Sequence, residues 1–179
     1  DSHRPNVVFI SVDDLNDFPS FMKRYPDART PNMDRLAKRG LVFTEAHCQF
    51  PLCGPSRASL MSGLLPSTLG FDDHMKDEAV EKRAHELGSE VLHTYFRNHG
   101  YKTLAVGKLF HRHVPEGSVD ASGKRGSFSG GTGKLKRNWH QDGTSTDWAM
   151  APQRDDQLPD HAAAQWAVDQ LEKEHDKPF

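Results

Sequence analysis

Cysteine is scarce here. The 179 residues contain two, Cys48 and Cys53, too few for a disulfide framework and too few to cage zinc by thiols alone. An excess of charge of one sign is also missing: 23 basic and 25 acidic residues leave a formal net charge of -2 with histidines neutral. No global field therefore attracts nucleic acid or an anionic membrane, and any anion binding has to be local. No window approaches the ~20 apolar residues of a membrane span. The opening DSHRPNVVFI lacks a basic stretch followed by a long apolar run, so no signal peptide is visible. What is left is the composition of an ordinary globular domain, 35% hydrophobic and 27% charged, of a size that buries roughly 70% of its unfolded surface.

Within that frame, strand and helix patterns alternate. Val7 to Val12 is a β-branched apolar run of the kind buried on both faces of a sheet, and it stops at two carboxylates, Asp13 and Asp14. PNMDRLAKRG begins with Pro31 and ends at Gly40, the punctuation of a helix, and Leu41 to Cys48 is a candidate second strand. A short helix is expected from about Ser56 to Ser62, with Cys53 at or just before its N-terminus. SEVLHTYFRNHG is a clearer helix, followed by YKTLAVGK as a strand ending near Lys108. DHAAAQWAVDQLEKEH, capped by Asp160, is amphipathic through Leu171, and DKPF sits where a further strand would start. Residues 112–147 break the alternation with a long Gly/Ser/basic stretch that reads as a loop or insertion. The alternation predicts an α/β domain with a largely parallel sheet, whose ligand site lies beyond the carboxyl ends of the strands.

The chemistry-bearing residues fall at those ends. Asp13 and Asp14 can be aimed together at a hard divalent cation by a turn of the backbone, or they can be a solvated turn. Cys53 admits several readings. It can be a buried free thiol, or the partner of Cys48 in an oxidising compartment. A tyrosine-phosphatase-like loop fails on spacing, because only three residues separate Cys53 from Arg57. A helix N-terminus beside a guanidinium is, finally, a good seat for an anionic nucleophile.

The string CGPSRASLMSG matches C-x-P-x-R followed six residues later by Gly63, and it resembles the signature of the type I, formylglycine-dependent sulfatases. RPNVVFISVDDL is similar to that family's first strand with its acidic pair. TPNMDRLAKRGLVFTEAHC is similar to the segment leading to the nucleophile, and NHGYKTLAVGKLFH to the later strand that carries lysine and histidine. The three-residue step from Lys108 to His111, and LPD at Leu158 followed by a helix and KPF, most resemble the iduronate-2-sulfatase-like members.

The resemblance implies an alkaline-phosphatase-like sulfatase fold, incomplete in this chain, with residues 1–179 as the N-terminal part of the catalytic domain. It implies hydrolysis of a sulfate ester, on a sulfated saccharide, by Cys53 converted to formylglycine. Asp13, Asp14 and the oxygen of modified Cys53 would bind Ca²⁺, with Mg²⁺ as second choice. Arg57 would neutralise the nucleophile, Lys108 would bind a sulfate oxygen, and His111 would assist proton removal. The other partners implied are the C-terminal remainder of the enzyme and, transiently, the formylglycine-generating enzyme. The location implied is secreted, periplasmic or lysosomal. The leaving-group acid and a second lysine are expected beyond Phe179, so this chain alone is expected to be inactive. Softer candidates are His47 and His74 near the site, and Lys124, Arg125, Lys134, Lys136 and Arg137 as contacts for an anionic polysaccharide. Two rival readings stay open: a phosphonate or phosphate ester hydrolase of the same superfamily, and a non-catalytic chain with Cys53 unmodified.

Overall fold

Helices dominate the computed structural model, which describes residues 4–126 and 154–179. In chain order they are α1 (Pro31–Ala37), α2 (Cys53–Ser62), α3 (Pro66–Leu69), α4 (Asp77–Glu86), α5 (Leu92–Asn98) and α6 (Pro159–Leu171), with 3₁₀ turns at Ser20–Met22 and Asp155–Gln157. Proline opens α1, α3 and α6, where its missing N–H removes no bond and its fixed φ is already helical. Gly63 closes α2 at φ 70°, its amide returning to Ser59 O at 2.8 Å, a left-handed cap that only glycine adopts freely.

The expected helices at Pro31, before Gly100 and through Leu171 are present. Asp160 lies inside the first turn of α6 rather than capping it, and Leu158 is the extended residue before the helix. A carboxylate in that turn still opposes the positive helix end. Helix α4 escaped notice in the sequence because DEAVEKRAHE is so heavily charged; only Asp77, Val80 and Ala84 are buried, on one face.

The sheet among the described residues is small and parallel. β1 (Leu104–Ala105) pairs with β2 (Ala121–Ser122), Leu104 opposite Ala121. The ladder is extended by Gly123 N–H to Ala105 O at 2.9 Å and Gly107 N–H to Lys124 O at 2.9 Å. β2 lies inside the stretch expected as loop from 112; residues 127–147 of it, with Lys134, Lys136 and Arg137, lie outside the described residues. Helix α6 closes over β2. A Cβ on Gly123 would stand 2.5 Å from Trp166 Cδ2 and 2.7 Å from Val106 Cγ2, so glycine is what lets the helix approach.

Two strand expectations need correction. Val7 to Val12 forms no strand and lacks a ladder along its length, and it is open to solvent, Ile10 being 73% exposed. A β-branched run becomes a buried strand only with partners alongside it. Among the described residues its one backbone partner is the chain end: Val7 N–H donates to Phe179 O at 2.6 Å, while Lys102 N–H donates to Pro178 O at 2.8 Å. Residues 178–179 thus bond to both the first apolar run and the segment entering β1, although DKPF, where a further strand is expected to start, forms none. Leu41 to Cys48 is irregular, with Leu41 and Phe43 exposed, because a short apolar run without a partner has nothing to hold it extended.

The core joins α2, α3, α4, β1 and the segment after it through Ala58, Met61, Leu69, Val80, Ala84, Ala105 and Phe110. Around it, Asp120 fastens the sheet: its carboxylate receives the N–H of Thr103 at 2.8 Å and the hydroxyl at 3.0 Å. Those bonds, the backbone one foremost, outweigh burial and hold the carboxyl below its ordinary range. A depressed folded-state pKa means stability that is present above the unfolded value and is lost as pH falls through the folded one. Asp120→Asn is therefore expected to lower the unfolding free energy by about 1 kcal/mol at neutral pH, the exposed position keeping the effect small. The gap to the parent should close as urea titrations are taken below about pH 4.

Candidate active site

Cys53 is the first residue of α2, so the helix begins about three residues earlier than its apolar pattern suggests. Leu52, at φ -143° and ψ 134°, brings the chain in extended, and its carbonyl takes the Ser56 amide at 3.0 Å. Pro55 in the first turn has no N–H to satisfy there. The opening amides of Cys53 and Gly54 have no acceptor within the helix, and they put the positive end of the helix dipole beside the Cys53 side chain. The rest of α2 is packed in, with Gly54, Pro55, Arg57, Ala58, Ser59, Met61 and Ser62 buried. Residues four apart share a helix face, so Arg57 stands one turn below Cys53.

Arg57 is 5% exposed and joins three parts of the chain. One terminal nitrogen donates to the backbone carbonyls of Lys108 and Leu109; the other donates to Asp13 Oδ1 at 2.9 Å. Lys108 Nζ reaches the other oxygen of the same carboxylate at 2.6 Å. Burial pushes the Asp13 carboxyl up, but the hydrogen bonds and charges of Lys108 and Arg57 outweigh it and hold the group below the usual carboxylate value.

The segment carrying Lys108 and His111 is fixed from beneath. Phe110 is 1% exposed, in the core between them, and its amide donates to His113 O at 2.8 Å. Buried Asp77 of α4 accepts from the amides of Arg112, at 3.3 Å, and His113, at 2.9 Å. The His113 ring spans Gly107 O and Ser122 Oγ at 2.6 and 2.7 Å. The segment is therefore tied to α2, α4 and β2 at once.

On the other side of position 53 the neighbours are imidazoles. His111 Nδ1 lies 3.7 Å from Cys53 Sγ, and the His74 ring stacks on His111 with centroids 3.8 Å apart and an angle of 24°. Burial first, then the charges of His74, Lys108 and Arg125, pull the His111 pKa down against an opposing effect of Asp77, which favours a neutral ring at pH 7. Gly54 makes room for His74: a Cβ there would stand 2.5 Å from His74 Nδ1 and 3.2 Å from its Cα. His74, a softer candidate in the sequence, is thus brought to the site by a bare backbone at Gly54. Cys48 is exposed and free, and so is the half-buried Cys53 thiol, so the two form no disulfide. His47 is exposed.

Asp13, Arg57 and Lys108 thus form one ion network, and Cys53, His111 and His74 form a second group beside it. Asp14 is exposed with φ 53°, a left-handed conformation that aspartate tolerates, and joins neither. Among the described residues, the group of His, Cys, Asp and Glu side chains close enough to share an ion is Cys53, His74 and His111. The aspartates expected to hold a hard cation are of the donor type that calcium takes, but they do not converge on position 53: both Asp13 oxygens are ion-paired, to Arg57 and Lys108, and Asp14 is exposed and apart. An open concavity of about 520 Å³ lies away from these residues, lined by Gln49, Phe50, Leu65, Phe71 and Asp72 among others. None of the described helices is long and apolar enough to cross a membrane.

The sequence matches the family model described as Sulfatase over residues 5–179. It is 39% identical to a sulfatase of Formosa agariphila over 98% of this chain and 37% of that protein. It is 37% identical to human iduronate 2-sulfatase over 69% of this chain and 22% of that one. It is 31% identical to mouse N-acetylgalactosamine-6-sulfatase, over 63% of this chain and 23% of that enzyme. The chain therefore spans between about a fifth and two fifths of the length of these relatives. No solved structure matches it. With the family model covering nearly every residue, and with Cys53, Arg57 and Lys108 gathered at the mouth of α2 within an α/β fold, this chain belongs to the sulfatase family.

Proposed function

We propose that this chain is the N-terminal part of a sulfuric ester hydrolase acting on a sulfated carbohydrate, with position 53 as nucleophile. The observation that carries the reading is the placement of Cys53 at the opening of α2, one turn from Arg57 and in contact with His111. The names of the relatives, iduronate 2-sulfatase and N-acetylgalactosamine-6-sulfatase, support a sugar sulfate as the substrate class. The short coverage of those relatives supports a longer whole protein; a secreted, periplasmic or lysosomal location remains part of the reading through the family resemblance alone.

Converted to formylglycine, residue 53 supplies an aldehyde whose hydrate offers one hydroxyl to attack sulfur and a second to expel sulfate afterwards. Around it the chain's own groups have distinct tasks. The free amides of the α2 N-terminus favour negative charge at position 53. Arg57 acts there by its field and by holding Asp13: three of its five N–H donors are engaged by two carbonyls and that carboxylate. Lys108 keeps one N–H on Asp13; an ammonium has three donors, so two stay available for a sulfate oxygen. His111, neutral and beside residue 53, is placed to take a proton from a hydroxyl there. Asp13 and Asp14, with the oxygen of the converted residue, would hold calcium in preference to magnesium only after Asp14 turns inward from its exposed position. When bound, that ion supplies positive charge opposite the developing anion.

The decisive test uses the complete protein. Peptide mass analysis is expected to find an aldehyde at residue 53, and sulfate release from an aryl sulfate is expected to exceed hydrolysis of the matched aryl phosphonate. Cys53→Ser should abolish release, and Lys108→Ala should lower kcat by about a hundredfold. Sulfate release at the parental rate from Cys53→Ser would sink the reading; a preference for phosphonate would move the enzyme to the neighbouring ester class.

A second prediction separates placement from charge. Arg57→Lys keeps the charge but cannot span two carbonyls and a carboxylate with one compact head group. It should lower stability by about 2–3 kcal/mol in chemical denaturation and lower kcat with it.

A further inference from the structure

The second group at position 53 has no task in the scheme above that needs all its members. Cys53 Sγ, one nitrogen of His74 and one of His111 lie within 4.8 Å of one another. In a tetrahedral zinc site, Zn–S near 2.3 Å and Zn–N near 2.0–2.1 Å set ligand-to-ligand spacings of about 3.3–3.6 Å. The Cys53 Sγ to His111 Nδ1 separation is already 3.7 Å. Closing the remainder asks for about 1 Å of side-chain rotation, and His74 is exposed and able to make it. The donors are a thiol and two imidazoles, a borderline-to-soft set that suits zinc and its neighbours and does not suit calcium. The site is also built. Gly54 removes the one side chain that would hold His74 away, His111 is anchored through Phe110 and the backbone of 112–113, and Cys53 is fixed as the first residue of α2.

We propose that unconverted Cys53, together with His74 and His111, forms a three-ligand site for a zinc-class divalent ion, with water in the fourth position. Binding replaces the thiol S–H by an S–metal bond and releases the proton to solvent; nothing is oxidised or reduced. Conversion of Cys53 removes the sulfur, so the site belongs to the thiol form alone. An ion held there also occupies the sulfur on which conversion must act. The exclusion between metal and conversion rests on the function proposed above, whereas the site itself does not.

The test uses the complete protein from a host that leaves Cys53 as a thiol, confirmed by peptide mass, stripped with chelator and kept reduced. Titration with Co²⁺ is expected to give one equivalent of binding, with a thiolate-to-metal charge-transfer band and the intense visible bands of a tetrahedral ion, both displaced by Zn²⁺. Cys53→Ser should remove the charge-transfer band. His74→Ala should weaken Co²⁺ binding by at least about 100-fold, the upper end of what loss of an outer-shell partner costs; His74 is exposed, so the fold should survive the change, and circular dichroism checks it. Converted protein should show no charge-transfer band. Absence of that band in the thiol form, or equal Co²⁺ affinity in His74→Ala, overturns the site. Loss of Co²⁺ binding in Asp13→Asn with no effect of His74→Ala would assign the ion to the aspartates and equally overturn it. Sulfate release by the converted protein reads the functional proposal separately, so either can fail while the other stands.

Discussion

A guanidinium taken out of water has to be matched by acceptors from its surroundings, and at Arg57 that requirement organises the site. The side chain leaves the buried face of α2 and finds its acceptors in two other places, the backbone at 108–109 and the carboxylate of Asp13. Three stretches far apart in sequence are thereby brought to one point. The position of Lys108, the orientation of Asp13 and the setting of Cys53 one turn above all follow from the same buried charge. The network closes on itself, because Lys108 supplies the second cation for the carboxylate that Arg57 holds.

Position 53 lies between two unlike environments. One side carries carboxylate oxygen and fixed positive charge, which suit an anionic oxygen and a hard cation. The other carries stacked imidazoles, which suit sulfur and softer ions. The thiol at residue 53 belongs chemically with the second group; under the proposed conversion, an oxygen there would belong with the first.

What could be read in the sequence was what is local. Pro31, Pro159 and Gly63 announce helix ends because their backbone restrictions act where they stand. The carboxylates after Val12, the Cys53 to Arg57 spacing and the Lys108 to His111 step were visible as short motifs. What was hidden depends on distant partners. The Val7–Val12 run looks like a central strand, yet strand pairing is a property of two segments, and one segment cannot state it. In the sequence His74 is a soft candidate on a par with His47; what sets it apart, the bare backbone of Gly54 that receives its ring, is a contact between distant residues. Helix α4 was obscured by its own charge, although its Asp77 turns out to hold the backbone beneath His111.

The backbone bonds of Pro178 and Phe179 to Lys102 and Val7 bear on the order in which the molecule assembles. α2, α4, α5 and the segment to β2 make their contacts within a short span of chain and can form early, whereas the first apolar run waits for a partner some 170 residues away. The stretch carrying Asp13 is therefore held by contacts of high sequence separation, to Phe179 through Val7 and to Arg57 and Lys108 through Asp13, the kind that form late. Cys53 belongs to the more local part of the chain, so its helix can be in place before the Asp13 carboxylate is.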